Sequence, residues 1–344
     1  MLELVPQGER LPGRNGIWFA DIATQKRNYG LADVTSPEAF EALDDTRTLT
    51  FQNAVSLALP IPDEAGAMYG LRPEWRAATG YHFWQIERTI QAGDPPQIWT
   101  RLVAPFDRAA IAAALAEAGH EPVSYGGATI QARGDDGETV SLQDPLGRYT
   151  QSRLNRVVLE DGAISTTPIT ALAEAGIDTR AGRAPSFADD PDYAALERAL
   201  GPVVGAILTT PDVFYGPASP SARPTPTPTP ARVATPVADR LPRYSKVGLG
   251  LRDDGKDHAM VIALVYANQT DARTAASVVL QRVGEYRLRT NGQRLSERVV
   301  SDGAELVAAG DRTVAVIPLK ITDEVSLSLW LRMYTNGDYL FLAP

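Results

Sequence analysis

The chain of 344 residues is predicted to be an α+β protein, with antiparallel sheets carrying helices on one face in two similar ferredoxin-like halves. Three observations lead there. Short apolar runs are joined by hairpin signals such as Asp161-Gly162 and Asn336-Gly337. Ala-rich helical stretches follow capping residues such as Asp107 and Thr270-Asp271. The order strand, strand, capped helix, strand occurs at 82–131 and again at 246–300, with low identity between the two.

In chain order, residues 1–14 are polar and turn-rich and read as a flexible lead-in. Gly16 to Ile22 is a short element sending Trp18 and Phe19 into a core. Ser36-Pro37-Glu38 starts a helix, with serine as cap and proline in the first turn. A second helix begins at Pro73 and stops at Gly80. Strands are expected at His82–Ile90 and Gln97–Val103, then a helix over Arg108–Ala118 and a return through Pro122–Ile130. The acidic loop from Gly134 to Gly147 faces solvent. Asn155–Leu159 and Ala163–Thr167 pair across Asp161-Gly162, and helices follow at Ile169–Ile177 and Tyr193–Leu200. Val203–Leu208 is a buried strand.

From Pro211 to Pro242 the chain becomes a proline ladder, centred on Arg223-Pro-Thr-Pro-Thr-Pro-Thr-Pro230. Alternate residues there lack an N–H and few side chains are apolar, so the stretch reads as an extended tether or exposed loop. It divides the chain into an α+β region at 15–210, a linker at 211–243 and an α+β region at 244–344, as one globule or two. Beyond it, Val247–Leu251 and Ala259–Tyr266 form a hairpin around Asp253-Asp-Gly. Met260 to Val265 is apolar on both faces, as a central strand is. A helix over Ala272–Val283 is followed by strands at Glu285–Arg289, Arg294–Val300, Ala304–Val307 and Thr313–Leu319. Val325 to Met333 alternates as a strand would and turns at Asn336-Gly337 into Tyr339-Leu-Phe-Leu.

Composition excludes several function classes. With no cysteine there are no disulfides, thiol nucleophiles, Cys-ligated zinc or iron–sulfur clusters. A formal charge of −9 argues against a nucleic-acid partner or a general affinity for anionic lipid. No run has the length of a membrane-spanning helix. Met1-Leu-Glu-Leu-Val-Pro lacks the basic and apolar regions of a signal peptide. Two expectations remain: a cytoplasmic protein, or a mature chain whose export signal or lipid anchor lay upstream. The Thr-Pro ladder favours the second.

Leu154 to Gly162, Ile169 to Ile177 and Pro185-Ser-Phe-Ala-Asp-Asp-Pro-Asp-Tyr193 resemble families of uncharacterised bacterial extracytoplasmic proteins, often lipoproteins. Trp99 to Ile130 is similar to their strand, Asp-capped helix and Tyr-x-Gly return. The resemblance spans about 80–210 and implies an exported protein of no established activity. It supplies no catalytic residue, and the chain lacks the cysteine that a lipid anchor requires.

Catalytic and metal-ligating residues are not identified. His82, His120 and His258 show no HxxxH pairing, and His120 reads as a cation beside a helix C-terminus. Gly248-Leu-Gly250 lacks a following helix, so it is a strand and not a dinucleotide fingerprint. Asp189-Asp190-Pro-Asp192 is explained by helix capping. Trp75, Tyr81, Trp84 and Trp99 cluster in sequence with Phe83 and are candidate groove residues, with core packing as the plainer alternative. The leading expectation is a non-enzymatic extracytoplasmic module binding a small molecule, polymer or protein, without a cofactor. A hydrolase of extracellular or cell-wall polymer, working through unassigned carboxylates, and a cytosolic structural or regulatory protein are the alternatives.

Overall fold

The structure is a computed structural model that describes residues 1–8, 11, 16–66, 72–139, 143–215, 240–322 and 327–343. Most of the proline ladder therefore lies outside the described residues, as does Val325. The N-terminal part contains β1 (Ile17–Asp21), α1 (Ile22–Asn28), α2 (Pro37–Glu41), α3 (Asp45–Phe51) and α4 (Pro73–Thr79). Ser36 caps α2 as its position predicts, its Oγ accepting from the N–H of Ala39 at 3.1 Å. Then come β2 (Arg88–Asp94), β3 (Gln97–Val103), α5 (Arg108–Glu117), β4 (Glu121–Tyr125), β5 (Ala128–Ala132) and α6 (Pro145–Thr150). The region closes with β6 (Arg156–Glu160), β7 (Ala163–Thr167), α7 (Thr170–Arg180), α8 (Pro191–Leu200), β8 (Gly205–Thr209) and α9 (Asp212–Tyr215). Asp107 and Asp190 cap α5 and α8 through backbone N–H groups two and three residues on.

The C-terminal part holds β9 (Val247–Asp253), β10 (His258–Tyr266), α10 (Gln269–Glu285), β11 (Val299–Val300), β12 (Glu305–Ala309), β13 (Arg312–Ile321) and α11 (Leu329–Thr335). Among the described residues all thirteen strands join one antiparallel sheet. Its order is β11–β13–β10–β9–β8–β1–β2–β3–β7–β6–β5–β4, with β12 also lying along β13. Strands before and after the ladder are direct neighbours, since β8 pairs with β1 on one side and β9 on the other. The regions 15–210 and 244–344 thus share one sheet.

The fold is α+β, and its helices cover both sides of the sheet, not one. Ile111 and Leu115 of α5, Ala275 and Val279 of α10 and Trp330 of α11 pack on one face with Ile262, Leu264 and Ile317. Tyr193 and Leu196 of α8 and Leu172 of α7 pack on the other with Val261, Ala263 and Val316. The reason lies in β10 and β13, whose side chains are apolar on both faces and so need cover on both. Both α5 and α10 link strands that run in the same direction. One strand, β13, separates β10 from β11, whereas β7, β6 and β5 separate β3 from β4.

Several elements differ from the sequence reading. A 3₁₀ turn at Phe83–Gln85 precedes β2, which starts at Arg88 and extends to Asp94 opposite Gln97. The return after α5 is a hairpin, β4–β5, and the loop near 145 carries α6, capped by Asp144. Asn268 caps α10, in place of Thr270-Asp271. The strands expected over 285–300 reduce to a bridge between Arg287 and Arg294, a 3₁₀ turn and the two residues of β11. The described part of the expected strand 325–333 is a turn and α11, with Leu329, Trp330 and Met333 inward at helical spacing. Tyr339-Leu-Phe-Leu is a 3₁₀ turn.

Candidate functional site

The four aromatic candidates do not form a groove. Trp75, Tyr81, Trp84 and Trp99 are each at most 4% exposed. Trp75 meets Tyr81 edge-on at 5.8 Å, and Trp84 lies against Phe40. Trp99 packs on the opposite face of the sheet from the other three. Their role is core packing, which accounts for their clustering in sequence. His120 is also internal, its ring nitrogens facing the carbonyls of Leu115 and Leu154. Burial holds its pKa below the usual histidine value. Gly248 and Gly250 lie in β9 under α8, where Leu196 and Leu200 approach the backbone.

The polar constellation with most chemical content lies at the β9–β10 turn. Asp253 ends β9, His258 begins β10, and the two are direct partners in the register. The Asp253 side chain is fully buried, and its Oδ1 lies 2.9 Å from His258 Nδ1. That oxygen also accepts from the N–H of Gly255 at 2.8 Å. The other oxygen accepts from Gln25 Nε2 at 2.7 Å and from the Tyr29 hydroxyl at 3.0 Å. The wholly buried Asp253 side chain is therefore matched by four polar partners.

Helix α1 positions this turn. Gln25 and Tyr29 come from it and its C-cap, and Asn28 donates to the Asp253 carbonyl at 2.7 Å. Gly255 has φ +87°, and a Cβ there would run into the Asn28 carbonyl oxygen. Tyr29 stacks on the His258 ring at 6.3 Å between centroids. With Nδ1 committed to Asp253, His258 Nε2 makes no hydrogen bond to the described residues.

His258 lines a cleft of about 530 Å³ shared with Asp254, Asp257, Asp302, Arg252 and Lys320. Both cations are already engaged. Arg252 donates to the carbonyls of Leu200 and Ala199 at the end of α8, and Lys320 to Asp257 at 2.8 Å. Asp254 accepts from the N–H groups of Asp257 and Lys256, which hold its carboxyl below the usual range. The cleft thus offers surplus acceptors around one oriented imidazole. Among the described residues no group of three or more His, Asp or Glu is placed to hold a metal ion.

This site escaped the sequence reading, which gave His258 no partner and read Asp253-Asp-Gly only as the turn of a hairpin. The available signal was the spacing: an Asp and a His flanking a tight turn become cross-strand partners.

No family model matches the chain, and no curated protein matches it. Among solved structures it is similar to crystal form I of TP0453, at 8% identity and TM-score 0.38 over 97% of each chain. A likeness at that level carries neither fold nor function from one protein to the other. Among the described residues no helix is long and apolar enough to cross a membrane.

Proposed function

We propose that the protein is an extracytoplasmic, non-enzymatic binding module that takes a small amine-bearing solute in the cleft over His258. The carrying observation is the charge arrangement there. Asp302 and Asp254 face a cleft whose two cations are satisfied by protein acceptors, and His258 Nε2 adds one polar contact point. A cationic ligand meets that demand. Export is supported by the Thr-Pro ladder and by the resemblance of residues 80–210 to uncharacterised extracytoplasmic families.

The test is calorimetric titration of the full chain with spermidine, ethylenediamine and, as a negative control, succinate. Binding of an amine that weakens about tenfold in Asp302→Asn and in His258→Ala supports the reading. Equal heats for the variants, or no amine binding at all, would sink it.

A second reading rests on the Asp253–His258 pair, because a carboxylate on Nδ1 orients Nε2 as a general base. On this view the protein is a hydrolase of extracellular polymer, and His258 removes a proton from water. Turnover of a chromogenic ester or glycoside that disappears in His258→Ala would favour it over simple binding.

A further inference from the structure

A second cluster lies on the opposite face from α5 and α10, where α7 crosses β3, β7 and β6. Arg101 of β3 and Arg180 in the last turn of α7 both pair with Glu160 of β6, one with each carboxylate oxygen. Arg101 also donates to Ser165 Oγ at 3.1 Å. Two cations therefore share one anion. Their side chains are only 10% and 12% exposed, so solvent compensates little of the surplus charge. Burial lowers the pKa of Arg180, and the neighbouring Arg101 adds to that against the pull of Glu160.

The same place holds donors without acceptors. Arg101 Nε, Arg180 Nη1 and Trp99 Nε1 are buried and have no hydrogen-bond partner among the described residues. Trp99 itself is fully buried. Gly176 of α7 lets two of them approach one point: a Cβ there would stand 2.7 Å from Trp99 Nε1 and 3.2 Å from Arg180 Nη1. Any side chain at 176 would hold them apart. Buried N–H groups lacking acceptors are costly, and here they coincide with uncancelled positive charge.

We infer that Trp99, Arg101 and Arg180 form a binding site for a small monovalent anion of halide size. A halide accepts from several donors at once and supplies the missing negative charge, whereas a water molecule satisfies the donors and leaves the charge uncancelled. Trp99 Nε1 and Arg180 Nη1 both lie beside the absent methyl group of Gly176, and so narrow a point suits a single-atom anion better than an oxyanion. The site is separate from the His258 cleft and does not depend on the reading of that cleft.

The test is thermal unfolding of the full chain at constant ionic strength, with chloride replaced by gluconate. The midpoint rises by about 2–4 °C between about 1 mM and about 100 mM chloride, and bromide acts likewise. Crystals grown in bromide show an anomalous peak between Trp99 Nε1 and Arg180 Nη1. Trp99→Phe keeps the packing but removes one donor, and it at least halves the chloride response. Arg180→Gln abolishes the response; should that variant not fold, Trp99→Phe decides. Equal midpoints in chloride and gluconate, an undiminished response in Trp99→Phe, or an ordered water in place of bromide would each overturn the assignment.

Discussion

His258 stands directly opposite Asp253 across the β9–β10 turn, with Nδ1 2.9 Å from a carboxylate oxygen that no solvent reaches. Helix α1 and its C-cap, more than two hundred residues earlier in the chain, donate two side-chain hydrogen bonds to the other oxygen. The dyad is thus also a tertiary lock between the N-terminal segment and the central hairpin.

Asp253→Ala removes an acceptor shared by the Gln25 amide, the Tyr29 hydroxyl, the Gly255 N–H and His258, although Gln25 keeps its bond to the Ala54 carbonyl. A loss of about 3–5 kcal/mol is expected in urea unfolding, against about 1–2 kcal/mol for His258→Ala. If His258→Ala proved the more destabilising of the two, the carboxylate would not be the organising group.

Glu64 is buried beneath the sheet, with Gln91 Nε2 at 3.3 Å and Arg153 Nη1 at 3.6 Å from its carboxylate. Burial raises its pKa, and Arg153 only partly opposes that. The folded state therefore holds the proton more tightly than the unfolded chain. Its contribution is complete below the ordinary carboxylate range and is lost as pH rises through the raised folded value. Glu64→Gln is expected to flatten this slope and to be the more stable protein at neutral pH. Parallel pH–stability curves for variant and wild type would contradict it.

Lys26 points inward, donating to the carbonyls of Val34 at 2.6 Å and Trp84 at 2.9 Å. Burial lowers its pKa to about 8, outweighing Glu87 and Asp33. Between about 8 and the ordinary lysine value the unfolded chain binds more protons, so stability rises with pH over that window. Each tenfold difference in proton affinity is worth about 1.4 kcal/mol. Subtracting the curve of Lys26→Met from that of wild type isolates the slope, and a flat difference would refute it.

Trp330 of α11 is fully buried and donates through Nε1 to the Ala58 carbonyl at 2.9 Å. Trp330→Phe removes that bond at a cost of about 1 kcal/mol, and Trp330→Ala adds a cavity for about 3–5 kcal/mol. Denaturant midpoints check the order. A neutral Trp330→Ala would mean that α11 is not part of the core.

Where a feature depends on neighbours in sequence, it could be read from the chain. Ser36, Asp107 and Asp190 sit where their helices begin because capping needs only a short side chain and the N–H groups two or three residues later. The Asp161-Gly162 hairpin and the two-faced apolar run of β10 were equally plain. The alternating Leu327, Leu329, Leu331 and Met333 pointed to a strand, whereas the residues that α11 buries, Leu329, Trp330 and Met333, follow helical spacing within the same stretch.

The sequence by itself determined the α+β class, most turns and caps, and the absence of cysteine chemistry, since these follow from local backbone preference and composition. Only the tertiary structure decided that one sheet runs through both regions, that Trp75 and Trp99 lie on opposite faces of it, and that Asp253 receives Gln25 and Tyr29. Hydrophobic patterning tells which side of an element is buried and leaves open what it is buried against. Pairings between distant segments are set by packing and hydrogen-bond satisfaction over the whole chain.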